Sequence, residues 1–145
     1  MSYVYTNEDA IDDELRCVIC NDPFQSPVNC IRCGQTFCTN CIDQWYRQQT
    51  SCPFCREKGY LFVPVITRIL LNQLNRLLVQ CSQCQQTNIR RVDFVDHLST
   101  NCPKQQVTCP NECRWKGHRE DLQKHLINCR KNRSSFFQWL SCGLI

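Results

Sequence analysis

Residues 17–56 read CVICNDPFQSPVNCIRCGQTFCTNCIDQWYRQQTSCPFCR. Eight cysteines fall there as four CxxC pairs: Cys17 and Cys20, Cys30 and Cys33, Cys38 and Cys41, Cys52 and Cys55. A CxxC turn aims two sulfurs at one centre, and two such turns complete a tetrahedral zinc site. Four pairs in one short stretch therefore predict two structural zinc ions.

The composition around this stretch agrees. The chain has 145 residues and 15 cysteines. Its hydrophobic fraction of 42% counts those cysteines; about a third remains without them, too little for one large core, so small modules need staples. The staples are disulfides or metal. The opening residues, MSYVYTNEDAIDDELR, have no basic start and no apolar run, so they do not read as a signal peptide. Residues 1–14 carry Glu8, Asp9, Asp12, Asp13 and Glu14 and read as a solvated acidic lead-in. No segment approaches the roughly 20 apolar residues of a membrane span. Zinc in a reducing, cytoplasmic setting is the consistent expectation.

Beyond Cys55, residues Gly59 to Val65 (GYLFVPV) are apolar and β-rich. Residues Ile66 to Val79 (ITRILLNQLNRLLV) predict a helix, with Ile66, Ile69, Leu70, Leu74, Leu77 and Leu78 on one face. That face is read as a cover for the neighbouring zinc modules; the alternative is a homodimer seam through Ile66–Val79. A repeat follows. Cys81-x2-Cys84 precedes His97-x4-Cys102, and Cys109-x3-Cys113 precedes His125-x3-Cys129. Helical segments Arg91–Ser99 and Arg119–Ile127 each place a His where it can reach a zinc held by the upstream Cys turn. Phe94, Leu98, Leu122 and Leu126 are expected to be the small apolar contacts of these units, and His118 a surface residue. The last four residues, Cys142-Gly143-Leu144-Ile145, have the outline of a prenylation box, which makes Cys142 a possible lipid anchor.

The stretch CVIC, PV, CGQTFCTNCI, Trp45 and CPFCR resembles the RING domain of ubiquitin ligases. The resemblance implies a cross-brace. Cys17, Cys20, Cys38 and Cys41 would hold one zinc, and Cys33, Cys52 and Cys55 would hold three corners of the second. The family's usual His falls at Gln35, whose neutral amide is a poor zinc ligand, so Cys30 is expected to supply the fourth corner. The later unit CPNECRWKGHREDLQKHLINC resembles the TRAF-type zinc finger, including Trp115 and Gly117. The order as a whole is similar to that of TRAF-like ubiquitin ligases. The implied organisation is small zinc-stabilised α+β modules: lead-in 1–14, RING 15–60, strand and connector helix 61–80, fingers 81–104 and 105–130, tail 131–145. Zinc 3 would take Cys81, Cys84, His97 and Cys102, and zinc 4 Cys109, Cys113, His125 and Cys129. With four such sites the thiolates and ions together turn the formal +4 into about −2, which weakens the case for a nucleic-acid partner.

The same resemblance implies a ligase that binds a ubiquitin-charged conjugating enzyme and positions it against a lysine of an unknown protein substrate. Ile19, Trp45 and Pro53 would contact that enzyme, and Arg56 would bridge it to ubiquitin. Closed four-ligand sites leave no position for zinc hydrolysis, and capped thiolates make poor nucleophiles. Two other readings compete. One is an adaptor without ligase activity. The other is a nucleic-acid-binding finger protein, against which Asp93, Asp96, Glu120 and Asp121 stand on the finger helices.

Overall fold

A computed structural model describes residues 2–59 and 61–131 of the chain. Cys142 and its expected lipid anchor lie outside those residues. The chain divides into two compact units. Among the described residues the first is 5–59, 61–78 and 90–92; the second is 2–4, 79–89 and 93–131.

The first unit is built on a three-stranded sheet in the order β3-β2-β4. Strand β2 (Pro27–Cys30) pairs antiparallel with β3 (Thr36–Cys38), Val28 opposite Phe37. On its other side β2 pairs with β4 (Phe62–Pro64), Asn29 opposite Val63. Helix α1 (Thr39–Tyr46) begins directly after β3. The core gathers Leu15, Phe24, Val28, Phe37, Ile42, Phe62 and Leu74 with four cysteines. Phe62 meets Phe37 and Tyr46 edge-on, both with ring centroids 5.7 Å apart. Each such buried side chain contributes about 1.5–3 kcal/mol, so the segment after the last CxxC pair is a working part of this small core.

Helix α2 spans Arg68–Arg76, shorter than the expected Ile66–Val79. Leu77 turns out of it with ψ 137°, and Leu78 enters strand β5 (Leu78–Cys81), where Val79 is fully buried. Leu78 and Val79, which extended the helical period, are claimed by strand pairing. Leu74 is buried and Leu70 and Leu77 pack on the core, but Ile66 and Ile69 are 85% and 73% exposed. The expected single apolar face is therefore only partly used.

The acidic lead-in is not a solvated tail. Residues Tyr3–Tyr5 form β1, in a three-stranded sheet of order β1-β5-β6 with β6 (Ile89–Arg90). The backbone N–H and hydroxyl of Thr6 both donate to the Leu78 carbonyl at 3.1 Å. Ile11 packs on the core and Leu15 is part of it. The apolar residues between the acids hold the segment down while the carboxylates face water. Residues 90–92 also belong to the first unit: Arg91 N–H donates to Leu77 O at 2.8 Å, and its guanidinium donates to Gln25 Oε1 at 3.0 Å.

A 3-10 turn (Arg91–Asp93) leads from the first unit into α3 (Phe94–Asp96) of the second, which runs into a π-helical turn, His97–Asn101. The hairpin of β7 (Gln106–Thr108) and β8 (Lys116–His118) pairs Val107 with Gly117, and α4 (Arg119–Asn128) follows. The π turn has a sequence cause. His97-x4-Cys102 is one residue longer than His125-x3-Cys129. The extra residue is absorbed by a bond from Cys102 N–H to His97 O, five residues back, at 2.6 Å. The expected plain helix over Arg91–Ser99 is thus three short helical pieces. Phe94 is buried there, its ring 4.8 Å from that of Tyr3. Among the described residues no helix is long and apolar enough to cross a membrane.

Candidate metal centres

Four groups of Cys and His converge. Cys17, Cys20, Cys38 and Cys41 form the first; Cys30, Cys33, Cys52 and Cys55 the second. Cys81, Cys84, His97 and Cys102 form the third; Cys109, Cys113, His125 and Cys129 the fourth. Within each group the ligand atoms lie within 4.8 Å of one another. In the first two groups the CxxC pairs alternate along the chain, first with third and second with fourth, which is the cross-brace.

The distances fit zinc. A tetrahedron with Zn–S near 2.3 Å has S–S edges of about 3.8 Å and S–N edges of about 3.6 Å. Cys20–Cys38 and Cys30–Cys55 are 3.9 Å apart, Cys33–Cys52 4.0 Å, Cys81–Cys102 3.9 Å and Cys109–Cys129 3.8 Å. The Nε2 atoms of His97 and His125 lie 3.4 and 3.1 Å from Cys84 and Cys113 Sγ. No described cysteine is in a disulfide.

One backbone device aims the sulfurs. In four turns the residue four places after the leading Cys donates its N–H to that Cys carbonyl: Asn21 to Cys17, Gly34 to Cys30, Arg56 to Cys52 and Gln85 to Cys81, at 2.7–3.0 Å. The leading Cys N–H donates one residue further on, to Asp22, Gln35, Glu57 and Gln86. Closing this loop puts the donor in the left-handed region, with φ of 60°, 74°, 62° and 62° for Asn21, Gly34, Arg56 and Gln85. The turn at Cys109 has one residue more and uses two such positions, Glu112 and Arg114. Cys38 and Cys41 lack this turn. They sit at the N-terminus of α1, and Gln25 N–H donates to Cys38 Sγ at 3.1 Å.

Gln35 is engaged with its own backbone neighbours. Its amide donates to Thr36 O at 3.4 Å, and its carbonyl accepts from Cys30 N–H. Cys30 Sγ, fully buried, lies in the second group.

The thiols of one group cannot all ionise alone. Burial raises Cys30, but the Cys33 and Arg32 N–H groups and the neighbouring thiols bring it down to about 7. Cys33 is pushed up to about 12, by burial and by its thiol neighbours. Cys38 likewise reaches about 12, through burial and the charges of Cys17 and Cys20. In the fourth group burial is outweighed at Cys129, which falls to about 6 with the Lys131 N–H and nearby thiols as donors. Such clusters bind a proton or a cation, and Zn²⁺ supplies the charge that removes the protons. Cys113, Cys109 and Cys129 are joined by an imidazole with its own support: the Trp115 indole stacks on His125 at 4.4 Å and 7°.

The remaining expected site residues surround the first two groups. Ile19 is 41% exposed. Trp45 and Pro53 are half-buried, and Trp45 Nε1 donates to Ser51 O at 2.7 Å. Arg56 is exposed. Sequence reasoning passed over Val18 and Phe54, both 62% exposed. The argument that put Ile19 outside applies to them equally: in a CxxC turn the sulfurs face in and both intervening residues face out. The corresponding residues at Cys81 are Ser82 and Gln83, so the greasy turns belong to the first unit. His118, Glu120 and Asp121 bring three more ligand atoms together, but Glu120 is taken by Lys104 at 2.6 Å.

Fold and centres define a zinc-binding protein of small tandem modules. Sequence comparison gives the kind. Residues 15–56 match the Ring finger domain model, and residues 72–125 and 99–142 match the TRAF-type zinc finger. The chain thus carries a RING finger followed by TRAF-type zinc fingers. It is 32% identical to the E3 ubiquitin-protein ligase NRDP1 of Homo sapiens over 136 residues, 88% of this chain and 42% of that protein. The Xenopus laevis NRDP1 gives 32% over 135 residues, with the same coverage. RING finger protein 151 of Mus musculus is 29% identical over 128 residues, 83% of this chain and 52% of the relative. The chain thus spans less than half the length of the NRDP1 proteins it matches.

Proposed function

We propose that the chain is a RING-type E3 ubiquitin-protein ligase that acts by positioning, with four structural zinc ions held by the four groups above. The observation that carries this is the similarity to NRDP1 ligases over 88% of the chain, together with a first unit whose outward turn residues are apolar and whose Arg56 is exposed. Ile19, with Val18 and Phe54, docks a conjugating enzyme charged with ubiquitin; Trp45 and Pro53 extend the contact. Arg56 donates from its guanidinium to conjugating enzyme and ubiquitin together, which a fixed fork of donors does well. The substrate lysine amine attacks the thioester carbonyl. An isopeptide C–N bond forms, the C–S bond breaks, and the conjugating enzyme's cysteine leaves as thiolate while the amine gives up its proton. No cysteine of this chain enters the step. The reaction belongs in the cytoplasm, where thiols stay available for zinc.

The test is discharge of ubiquitin from a charged conjugating enzyme, across a panel, by wild type, Ile19→Ala and Arg56→Ala. Loss with Ile19→Ala through weaker binding, and with Arg56→Ala at saturating enzyme, is expected. Discharge untouched by both substitutions refutes the contact surface, and binding without discharge by wild type favours an adaptor.

A further inference from the structure

Arg119, the first residue of α4, reaches back to the end of the preceding finger. Its Nη1 donates to the carbonyls of Leu98 at 3.2 Å and Cys102 at 2.8 Å. Its Nη2 donates to Leu98 at 3.2 Å and to Ser99. These three carbonyls end the helical segment that carries His97, and one belongs to Cys102 itself. The Cys102 carbonyl also accepts from Gln105 N–H at 3.2 Å; carbonyls at a helical C-terminus bear partial negative charge, and a guanidinium can bridge all three. The backbone repeats the join: Arg119 N–H donates to Gln105 O and Glu120 N–H to Pro103 O, both at 3.0 Å. Lys104 pairs with Glu120 at 2.6 Å.

Both partners of this junction are held by metal ligands. The carbonyl set lies between His97 and Cys102 of the third group, and α4 carries His125 of the fourth. We infer that Arg119 couples the two fingers, so that zinc at either site favours zinc at the other and the pair loads and releases as one cooperative unit. This rests on the zinc reading of the two groups. Zinc at the fourth site fixes α4, which fixes Arg119, which holds the His97–Cys102 turn in ligating shape. By linkage the reverse holds with equal strength. In the first unit one indole bond, from Trp45 of α1 to Ser51 O beside Cys52, spans the two groups, whereas Arg119 spans three carbonyls of one ligating turn.

The experiment is a double-mutant cycle on the full chain: wild type, His125→Ala, Arg119→Ala and both. Native mass spectrometry counts zinc, and hydrogen exchange reads the 94–102 segment, with residues 17–56 as internal control for folding. His125→Ala alone is expected to speed exchange across 94–102 by a factor within about 5–150. In the Arg119→Ala chain the same change should add less than about twofold. An equal factor in both backgrounds, or none in either, overturns the coupling. Arg119→Lys keeps the charge but reaches one carbonyl at a time, and full coupling in that variant overturns the three-carbonyl bridge. A wild-type chain holding fewer than four zinc ions instead overturns the zinc reading on which the inference stands.

Discussion

Arg56 occupies a backbone position that suits glycine or asparagine. Its φ is 62°, and the matching turns place Asn21, Gly34 and Gln85 there. A left-handed L-residue costs about 1–2 kcal/mol, a cost that Gln85 bears in its own turn as well. Arg56→Gly should therefore leave the melting temperature of the first unit unchanged or higher, while ubiquitin discharge falls by about tenfold or more, equivalent to at least about 1.4 kcal/mol of transition-state stabilisation. Calorimetry beside a discharge assay separates the two; a parallel fall in both would make Arg56 a folding residue. At Cys30 the prediction is a count. Cys30→Ser should cost about one zinc per chain by native mass spectrometry, and Gln35→Ala none.

At the scale of elements, the fourth group shows how a ligand is steadied. The Trp115 indole lies flat on His125, and its other neighbour is Gly117. A Cβ on Gly117 would stand 2.5 Å from Trp115 Cζ2 and 2.9 Å from Cη2. Both atoms belong to a stacked ring that cannot yield without leaving the imidazole. Gly117→Ala is expected to destabilise this finger by about 1–3 kcal/mol through overpacking. Chelator titration should show zinc lost earlier from the fourth site and unchanged from the first two.

Elements were also where the sequence was hardest to read. The cysteine groups were legible because a CxxC turn fixes its sulfurs by covalent geometry alone, whatever surrounds it. The C-terminal leucines of the expected helix were not, because Leu78 and Val79 fit a helical face and a buried strand equally well until β1 and β6 pair with them. The lead-in misled through its charge: five acids hid the tyrosine strand and Ile11 between them. The guanidinium bonds of Arg119 and the indole stack of Trp115 depend on elements meeting in space, and periodicity carries no trace of either.

For the whole molecule, metal and proton compete. Cys33 and Cys38, raised to about 12, hold protons that zinc must displace at any ordinary pH. Cys30, lowered to about 7, gives the metal-free fold stability that is present above the ordinary thiol value of 9.0 and is lost as pH falls through 7. In the metal-free chain the raised thiols carry the opposite sign, their stability present below 9.0 and lost as pH rises through about 12; on acidification, proton competition for the zinc thiolates sets the direction. Zinc content and secondary structure should fall together on acidification from about pH 8 to 5, and exhaustive chelation at neutral pH should unfold the chain. Native mass spectrometry with circular dichroism checks this, and a chain that stays ordered without zinc refutes it.

Arg90 to Val92 come late in the sequence yet belong to the first unit, through Arg91 on Leu77 O and Gln25. Scissors applied after Leu78 would spare all eight cysteines of the cross-brace and still discard that strip. A fragment trimmed there, though complete in ligands, should melt below one prolonged to Val92, so the shortest self-sufficient piece is longer than its metal-binding pattern advertises.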